Sequence, residues 1–248
     1  MKRVEIIYGG ASNEKEISHL TAKSIYEHIN TDLYNPGLTD LSEFDPDNFD
    51  DETIFFIAIH GEGGEDGKIQ TLLENKKRKF TGSSSESSIL TWDKIATKRT
   101  LIENGILTPQ FKYIKNNEHF DFNDSFFSEN EHYFVKPNFN GSSYGISKVS
   151  DRKFNEAVRE AKNYSSEVII EKSFNGAEYT VALLKGQALT PLQILHDPIR
   201  GFYDYEAKYN SQNTQKIKIE DKRIKKHLKE IAEKVFVCLN CKTWARVD

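Results

Sequence analysis

The sequence of 248 residues predicts a parallel α/β domain followed by a region of mixed α+β structure. Two features of the chain predict this. Residues 4–8 and 54–59 are apolar runs followed by glycines and a helical pattern, as expected of parallel strands that are covered on both faces. Beyond residue 105, strand patterns follow one another with few helices between them, which is typical of antiparallel sheets.

The first region begins with the strand at residues 4–8, which Gly9 and Gly10 end. Asn13 and Glu16 have the spacing of a capping box and predict the start of a helix. The apolar residues at helical spacing are Ile17, Leu20, Ile25 and Ile29. After the strand at 54–59 and the glycine-rich segment 60–67, a second helix is predicted with Ile69, Leu72 and Leu73 inward. Residues 83–88 are a serine-rich linker, and a helix is predicted over 89–104.

In the second region we predict strands around 111–114, 133–136, 145–149, 168–172, 178–184 and 188–194, with a helix at about 151–163. A last helix carries apolar residues from Ile224 to Leu239 and leads into a final strand at 243–248. These elements predict three domains, over residues 1–83, 84–171 and 172–248.

Composition restricts the function. The net charge of −4 argues against non-specific nucleic-acid binding. No apolar run is long enough to span a membrane, and the chain starts directly with a strand pattern, so the sequence predicts a cytoplasmic protein. Cys238 and Cys241 form a lone C-x-x-C at the end of a helical stretch, which favours two ordinary core thiols over a redox or zinc site.

Three segments carry the residues suited to chemistry. In residues 134–147 an apolar strand bears Lys136 and opens into a Gly/Ser loop, a combination that can bind the phosphates of a nucleotide. The loops at 9–18 and 60–67 place Glu14, Glu16 and His60 after apolar strands, where ligands of α/β sheets bind. Residues 201–209 hold four aromatic and three charged side chains without strand or helix periodicity, which favours a flap over a ligand.

These segments, together with Asp93-Lys94, resemble in order the motifs of D-alanine–D-alanine ligases, which are members of the ATP-grasp superfamily. The similarity extends over nearly the whole chain. It implies a Rossmann-like N-terminal domain followed by a two-subdomain ATP-grasp fold. It also implies a bacterial cytoplasmic enzyme, a homodimer, that uses ATP and Mg²⁺ or Mn²⁺ to join two D-alanines for peptidoglycan synthesis.

The resemblance also implies roles for individual residues. Those placed around ATP are Lys94, Lys136, Gly141, Ser143, Gly145, Glu171, Lys172, Phe174, Glu178 and Lys208. Those placed in catalysis or on the amino-acid substrates are Glu14, His60, Ser142, Tyr209 and Arg246. Lys94 and Lys136 would contact the phosphates, Glu14 would bind the ammonium group of the first D-alanine, and Arg246 would face the charge that develops on the substrate carbonyl.

In the family, the last strand continues into a Glu-x-Asn metal motif and a substrate loop, which do not occur in these 248 residues. Of the metal ligands that the resemblance implies, these residues include Asp248 alone. The sequence is therefore interpreted as a ligase truncated at its C-terminal end. Two alternatives stay open. One is an ATP-grasp ligase with D-lactate or D-serine as its second substrate, and the other is a non-catalytic nucleotide-binding remnant of a ligase.

Overall fold

The computed structural model describes residues 1–115, 125–128, 131–141, 143–150, 153–195 and 214–248. The chain forms two compact units, one of Met1–Thr91 with Asn240–Ala245 and one of Trp92–Leu239 with Arg246–Asp248. Sheets with parallel pairing and sheets with antiparallel pairing are both present. The predicted mixture of α/β and α+β structure is therefore confirmed.

The first unit is built on a parallel four-stranded sheet in the order β2-β1-β3-β4. Its strands are β1 (Lys2–Tyr8), β2 (Tyr34–Asp40), β3 (Ile54–Ile57) and β4 (Lys79–Phe80). The helices are α1 (Lys15–His28), α2 (Lys68–Asn75) and α3 (Ser85–Trp92), and two 3₁₀ turns cover Leu41–Glu43 and Pro46–Asn48. Because β1 carries apolar side chains on both faces, Ile6 packs in a core with Ala22 of α1, and Ile7 packs in another with Ile69 of α2.

The structure differs from the sequence predictions at several points of this unit. Helix α1 has Glu14 at its N-cap, so the predicted capping box at Asn13 is wrong. Leu20 and Leu72, which helical spacing placed inward, are 64% and 39% exposed. Strand β2 was not predicted because it contains Pro36 and a glycine, residues that an edge strand tolerates.

The second unit begins with α4 (Lys94–Glu103) and contains an antiparallel sheet in the order β5-β8-β6-β7. These strands are β5 (Phe111–Ile114), β6 (Tyr133–Pro137), β7 (Ser147–Val149) and β8 (Val168–Lys172). Helix α5 (Phe154–Lys162) covers one face of the sheet, where Phe154 and Ala161 pack on Val135 and Ile170. Helix α5 does not cover the other face of this sheet, so polar side chains can lie there.

A second sheet of this unit has the order β10-β9-β11-β12. Its strands are β9 (Glu178–Leu184), β10 (Gln187–Ala188), β11 (Leu192–Leu195) and β12 (Gln215–Lys218). Strand β13 (Trp244–Val247), whose last two residues belong to this unit, pairs with β9. Helix α6 (Lys222–Cys238) packs on β9 and β10, and Ala232 and Phe236 are its buried residues.

Two predictions for this unit are corrected by the structure. The helix predicted over 89–104 is two helices, because the backbone of Asp93 is extended and its carboxylate caps α4 by accepting from the Ala96 amide. The strand predicted over 188–194 is divided into β10 and β11 near Pro191, which has no amide hydrogen to donate.

Within the described ranges, none of the helices has both the length and the apolar character needed to cross a membrane. Neither Cys238 nor Cys241 forms a disulfide bond within the described residues, and both are partly exposed. The Cys238 thiol donates to the carbonyl of Thr100, and the Ser87 hydroxyl lies 3.7 Å from Cys241 Sγ. These contacts fit ordinary packing thiols better than a paired redox motif.

Candidate functional site

In the first unit, the loops that follow β1 and β3 are tied together by the buried hydroxyl of Ser18. Its Oγ accepts from the Gly9 amide at 2.9 Å and donates to the carbonyl of Ala58 at 2.8 Å. Gly9 has φ +92° and Gly10 has φ +95°, in the left-handed region where glycine is favoured. The carboxyl ends of these two neighbouring parallel strands therefore form one fixed edge.

Glu14 and Glu16 lie two residues apart but in different environments. Glu14 is 6% exposed, whereas Glu16 lies on the exposed first turn of α1. Glu14 occupies the N-cap position, yet its side chain makes no capping hydrogen bond to the described residues of α1. A Cβ atom at Gly61 would lie 3.1 Å from Glu14 Oε2, so glycine allows the backbone after β3 to approach this carboxylate. Helix capping by its side chain therefore does not explain why Glu14 is buried at this position.

His60 lies on the same edge, directly after the apolar run that contains β3. Its Nε2 lies 2.9 Å from Thr21 Oγ1, and its carbonyl accepts from Ser12 Oγ at 2.7 Å. Burial lowers the pKa of His60, although the Glu14 carboxylate opposes this effect. The imidazole is therefore neutral at pH 7. In this unit the structure brings Glu14 and His60 to one strand edge, as the positions of their loops predicted.

In the second unit, strand alternation places charged and aromatic side chains on the face of the first sheet opposite α5. Glu171 of β8 is opposite Phe111 of β5 and opposite Phe134 of β6. Lys136 is two residues beyond Phe134 and therefore shares this face. Its Nζ lies 5.3 Å from the centre of the Phe134 ring. The buried carboxylate of Glu171 and the ammonium group of Lys136 thus lie on the same sheet face as the rings of Phe111 and Phe134.

Two lysines pair with the Glu171 carboxylate through different oxygens. Lys98 Nζ of α4 lies 2.9 Å from Oε1, and Lys136 Nζ donates to Oε2. Burial on its own raises the pKa of Glu171, but the ammonium groups of Lys136 and Lys98 outweigh it and hold that pKa below its usual value. Glu171 is consequently ionised at pH 7, and the three groups together carry a net positive charge.

Asn138 fixes the start of α4 to the end of β6. The residue is fully buried, its Oδ1 accepts from the Ile95 amide at 2.9 Å, and its Nδ2 donates to Asp93 Oδ1 at 3.0 Å. Lys94, the first residue of α4, donates to the carbonyls of Asn138 and Asn140 at 3.1 and 2.7 Å. The structure thus brings Lys94 to the start of the predicted phosphate loop, where it binds the main chain of that loop.

The loop itself has the backbone geometry that its glycines suggest. Gly145 has φ +69° and Ser143 has φ +64°, and a Cβ at Gly145 would lie 2.6 Å from Tyr164 Cδ2. The Gly141 amide donates to Asn140 Oδ1 at 2.8 Å. Of the other residues assigned here or to the flap, Ser142, Lys208 and Tyr209 lie outside the described residues.

The residues assigned to the nucleotide base follow Glu171 along the chain. Lys172 Nζ lies 3.2 Å from Glu131 Oε2, and Phe174 is 70% exposed just beyond the end of β8. Glu178 is the first residue of β9 and is partly buried. Phe174 therefore offers an uncovered aromatic ring close in sequence to Glu171.

Arg246 and Asp248, at the end of the second unit, bind each other. The Arg246 guanidinium lies 2.8 Å from Asp248 Oδ2, and both side chains are about half exposed. Within the described residues there is no group of three or more histidine, cysteine, aspartate or glutamate side chains that could hold a metal ion. One carboxylate paired with an arginine does not fit Mg²⁺, which needs several oxygen ligands.

Lys98 and Asn138 are the residues of this site that the sequence analysis missed. Lys98 lies in a helix among other polar residues, and its 6% exposure results from packing against β5 and β8. Asn138 follows a proline in a loop-like segment. Each of these side chains is buried by elements that are distant in sequence, which local patterns do not reveal. The sequence feature that could have indicated Asn138 is its position directly after the strand that bears Lys136.

The chain is similar to known proteins over nearly its full length. The family described as D-ala D-ala ligase C-terminus matches residues 101–248. The D-alanine–D-alanine ligase of Vesicomyosocius okutanii is 38% identical over 99% of this chain and 83% of that protein. The enzyme of the same name from Saccharophagus degradans is 33% identical over 99% of this chain and 79% of its relative.

Solved structures agree with these matches. The D-alanine–D-alanine ligase of Bacillus anthracis superimposes with a TM-score of 0.87 at 30% identity, covering all of this chain and 82% of that one. The same enzyme complexed with ATP gives a TM-score of 0.86 at 27% identity. The fold defines an ATP-grasp ligase. The chain belongs to the D-alanine–D-alanine ligase family.

Proposed function

We propose that this protein joins two D-alanine molecules in an ATP-dependent reaction that supplies peptidoglycan precursors. The observation that supports it most strongly is the Glu171 carboxylate holding two lysines on the open face of the ATP-grasp sheet, in a chain of this family. Lysine ammonium groups beside phenylalanine rings suit a nucleoside triphosphate, which carries negatively charged phosphates and an aromatic base.

In the first step, a carboxylate oxygen of D-alanine attacks the γ-phosphorus of ATP. The bond between that phosphorus and the bridging oxygen breaks, ADP leaves, and D-alanyl phosphate forms. Lys136 and Lys94 would bind the phosphates, because positive charge stabilises the transferring phosphoryl group. The loop with Gly141, Ser143 and Gly145 would lie over them.

In the second step, the amine of the second D-alanine attacks the carbonyl carbon of D-alanyl phosphate, phosphate leaves, and the amine loses a proton. Glu14 would bind the ammonium group of the first D-alanine, in keeping with its burial at the edge formed by the loops after β1 and β3. Arg246 would stabilise the oxyanion. His60, Ser142 and Tyr209 are assigned to the same substrates on the basis of the resemblance.

The remaining assignments concern ATP. Glu171, Lys172 and Phe174 would contact the adenine and Glu178 the ribose, and Lys208 would line the pocket between ATP and the substrates. Magnesium or manganese stays in the proposal on the resemblance alone, with Asp248 as its assigned ligand. The described residues do not form a group that could hold a metal ion, so the two steps above depend on the residues of this chain.

The larger organisation is proposed on the same basis. We assign residues 1–83 to a Rossmann-like substrate domain and residues 84–171 and 172–248 to the two ATP-grasp subdomains. The parallel sheet β2-β1-β3-β4 supports the first assignment. A homodimer that works in the cytoplasm is proposed from the family resemblance.

The test of this proposal is ATP binding and D-alanine-dependent turnover. Calorimetry should show that Lys136→Ala weakens ATP binding by about 2 kcal/mol, in the range of a charge-assisted contact. Lys162→Ala removes the same charge from α5, which covers the other face of the sheet, and should leave ATP affinity unchanged. Phosphate release that needs D-serine or D-lactate in place of the second D-alanine would contradict the assigned product.

A further inference from the structure

Lys98 is the most buried lysine of the described residues, and none of the assignments above uses it. Its side chain is 7% exposed, compared with 24% for Lys136. Lys98 Nζ donates to Thr108 Oγ1 at 2.6 Å and lies 5.2 Å from the centre of the Phe111 ring. A lysine buried at this depth needs a compensating partner. That partner is Oε1 of Glu171.

The charges of this cluster do not balance within it. Two ammonium groups share one carboxylate, and each of them takes a different oxygen. If Lys98 were apolar, the whole charge of Glu171 would act on Lys136, and the pair would be neutral. With Lys98 present, one positive charge is left over. This positive charge is accessible at Lys136, because Lys136 is the more exposed of the two lysines.

We propose that Lys98 is a positioning residue for the phosphate site, which holds Glu171 so that the charge of Lys136 remains available to the nucleotide. This inference rests on the proposed function, since it requires that Lys136 bind the phosphates of ATP. Lys98 itself does not touch the nucleotide. Its effect is on the phosphates and not on the adenosine part.

The experiment measures the affinities for ATP and for adenosine, by titration of the same protein, and takes their ratio. Both ligands contain adenine, so a change in the adenine contacts alters both affinities by the same factor and leaves their ratio unchanged. Lys98→Met should lower the ratio by about tenfold, the effect of losing one charge-assisted contact. Glu171→Gln should raise the ratio, because it removes the carboxylate that competes for Lys136.

Thr108→Val is the matched control, since it removes the other hydrogen-bond partner of Lys98 without changing the charge of the cluster. It should lower thermal stability and leave the ratio unchanged. The inference is wrong if Lys98→Met leaves the ratio unchanged, or if Thr108→Val lowers it equally. If Lys98→Met does not fold, Glu171→Gln decides, and a ratio that stays constant or falls overturns the inference.

Failure of the proposed function gives a different result. In that case the wild-type protein itself binds ATP no more tightly than adenosine. A wild-type preference for ATP combined with unchanged ratios in the variants contradicts the role of Lys98 alone.

Discussion

At the scale of single residues, burial separates side chains that look alike in the sequence. Glu14 and Glu16 both stand near the start of α1, but Glu14 is buried and Glu16 is exposed to solvent. An exposed carboxylate in the first turn interacts favourably with the helix dipole. A buried carboxylate close to the carboxyl ends of β1 and β3 is instead suited to binding a positively charged group, and we assign Glu14 to the substrate ammonium group.

We therefore expect Glu14→Gln to raise the KM for the first D-alanine by about tenfold or more, as for the loss of a hydrogen bond to a charged group. Glu16→Gln is the matched control and should change helix stability slightly and KM little. Steady-state kinetics with thermal melts measure both effects. A larger KM effect from Glu16→Gln at equal stability would contradict the assignment.

His60 should make stability depend on pH. Burial lowers the pKa of His60 in the folded protein, so as pH falls below about 6.5 the unfolded chain takes up a proton first. This contribution to stability is present above pH 6.5 and is lost as pH falls toward the folded-state pKa. Urea unfolding at pH 7.5 and 5.5 should show a smaller loss for His60→Gln than for the wild type. Equal losses in both proteins would show that other groups cause the pH dependence.

At the scale of elements, the loop between β6 and β7, which we assign to the phosphates, depends on its contacts with α4 and with the residues that follow α5. Asn138 binds the start of α4 after β6, and the loop then turns at Ser143 and Gly145 before β7 begins. Behind Gly145, the rings of Tyr144 and Tyr164 are stacked with centroids 6.3 Å apart. The loop is therefore held against packed side chains at both ends.

Gly145→Ala should destabilise the protein more than Gly105→Ala does. Both glycines have φ +69°, so an alanine at either position costs about 1–2 kcal/mol of backbone strain. At Gly145 the added methyl would also lie 2.6 Å from Tyr164 and 2.9 Å from Pro137, whereas at Gly105 no atom lies within 4 Å. Urea unfolding of the two variants measures the difference. Equal losses would mean that the loop can move away from Tyr164 at no cost.

At the scale of the whole molecule, the chain has separate cores in its two units. Ile6, Ile7 and Phe55 belong to the cores of the first unit, and Val135 and Ile170 belong to a core of the second. Each unit also contains a buried polar residue that ties its elements together, Ser18 in the first and Asn138 in the second.

Substitutions of these two residues should weaken different parts of the molecule. Ser18→Ala should lower hydrogen-exchange protection in β1–β3, and Asn138→Ala should lower it in β5–β8, each by about 1–3 kcal/mol for the buried groups left unsatisfied. Exchange measured by mass spectrometry resolves the two regions. A uniform loss across both units in either variant would show that the chain opens as one cooperative body.

Much of the fold could be predicted because the local patterns agree with the tertiary structure. The continuous apolar runs became strands buried on both faces, and the strand-rich second half became antiparallel sheets. The missed edge strands β2 and β12 lack an apolar pattern, since β2 contains Pro36 and all four residues of β12 are exposed. Edge strands are fixed by pairing with a neighbour, which a local pattern does not record.

The sequence by itself determined the order of the elements, the glycine positions in the loops and the lysine at the end of a buried strand, because these follow from local backbone and side-chain preferences. Tertiary structure alone decided that Glu14 is buried and Glu16 is not, and that Lys98 and Lys136 share Glu171. Lys98 and Glu171 are 73 positions apart (171 − 98), and the folded chain brings the Lys98 side chain of α4 to the Glu171 carboxylate of β8. Charge pairing of this kind depends on distance in space, and only the folded chain sets that distance.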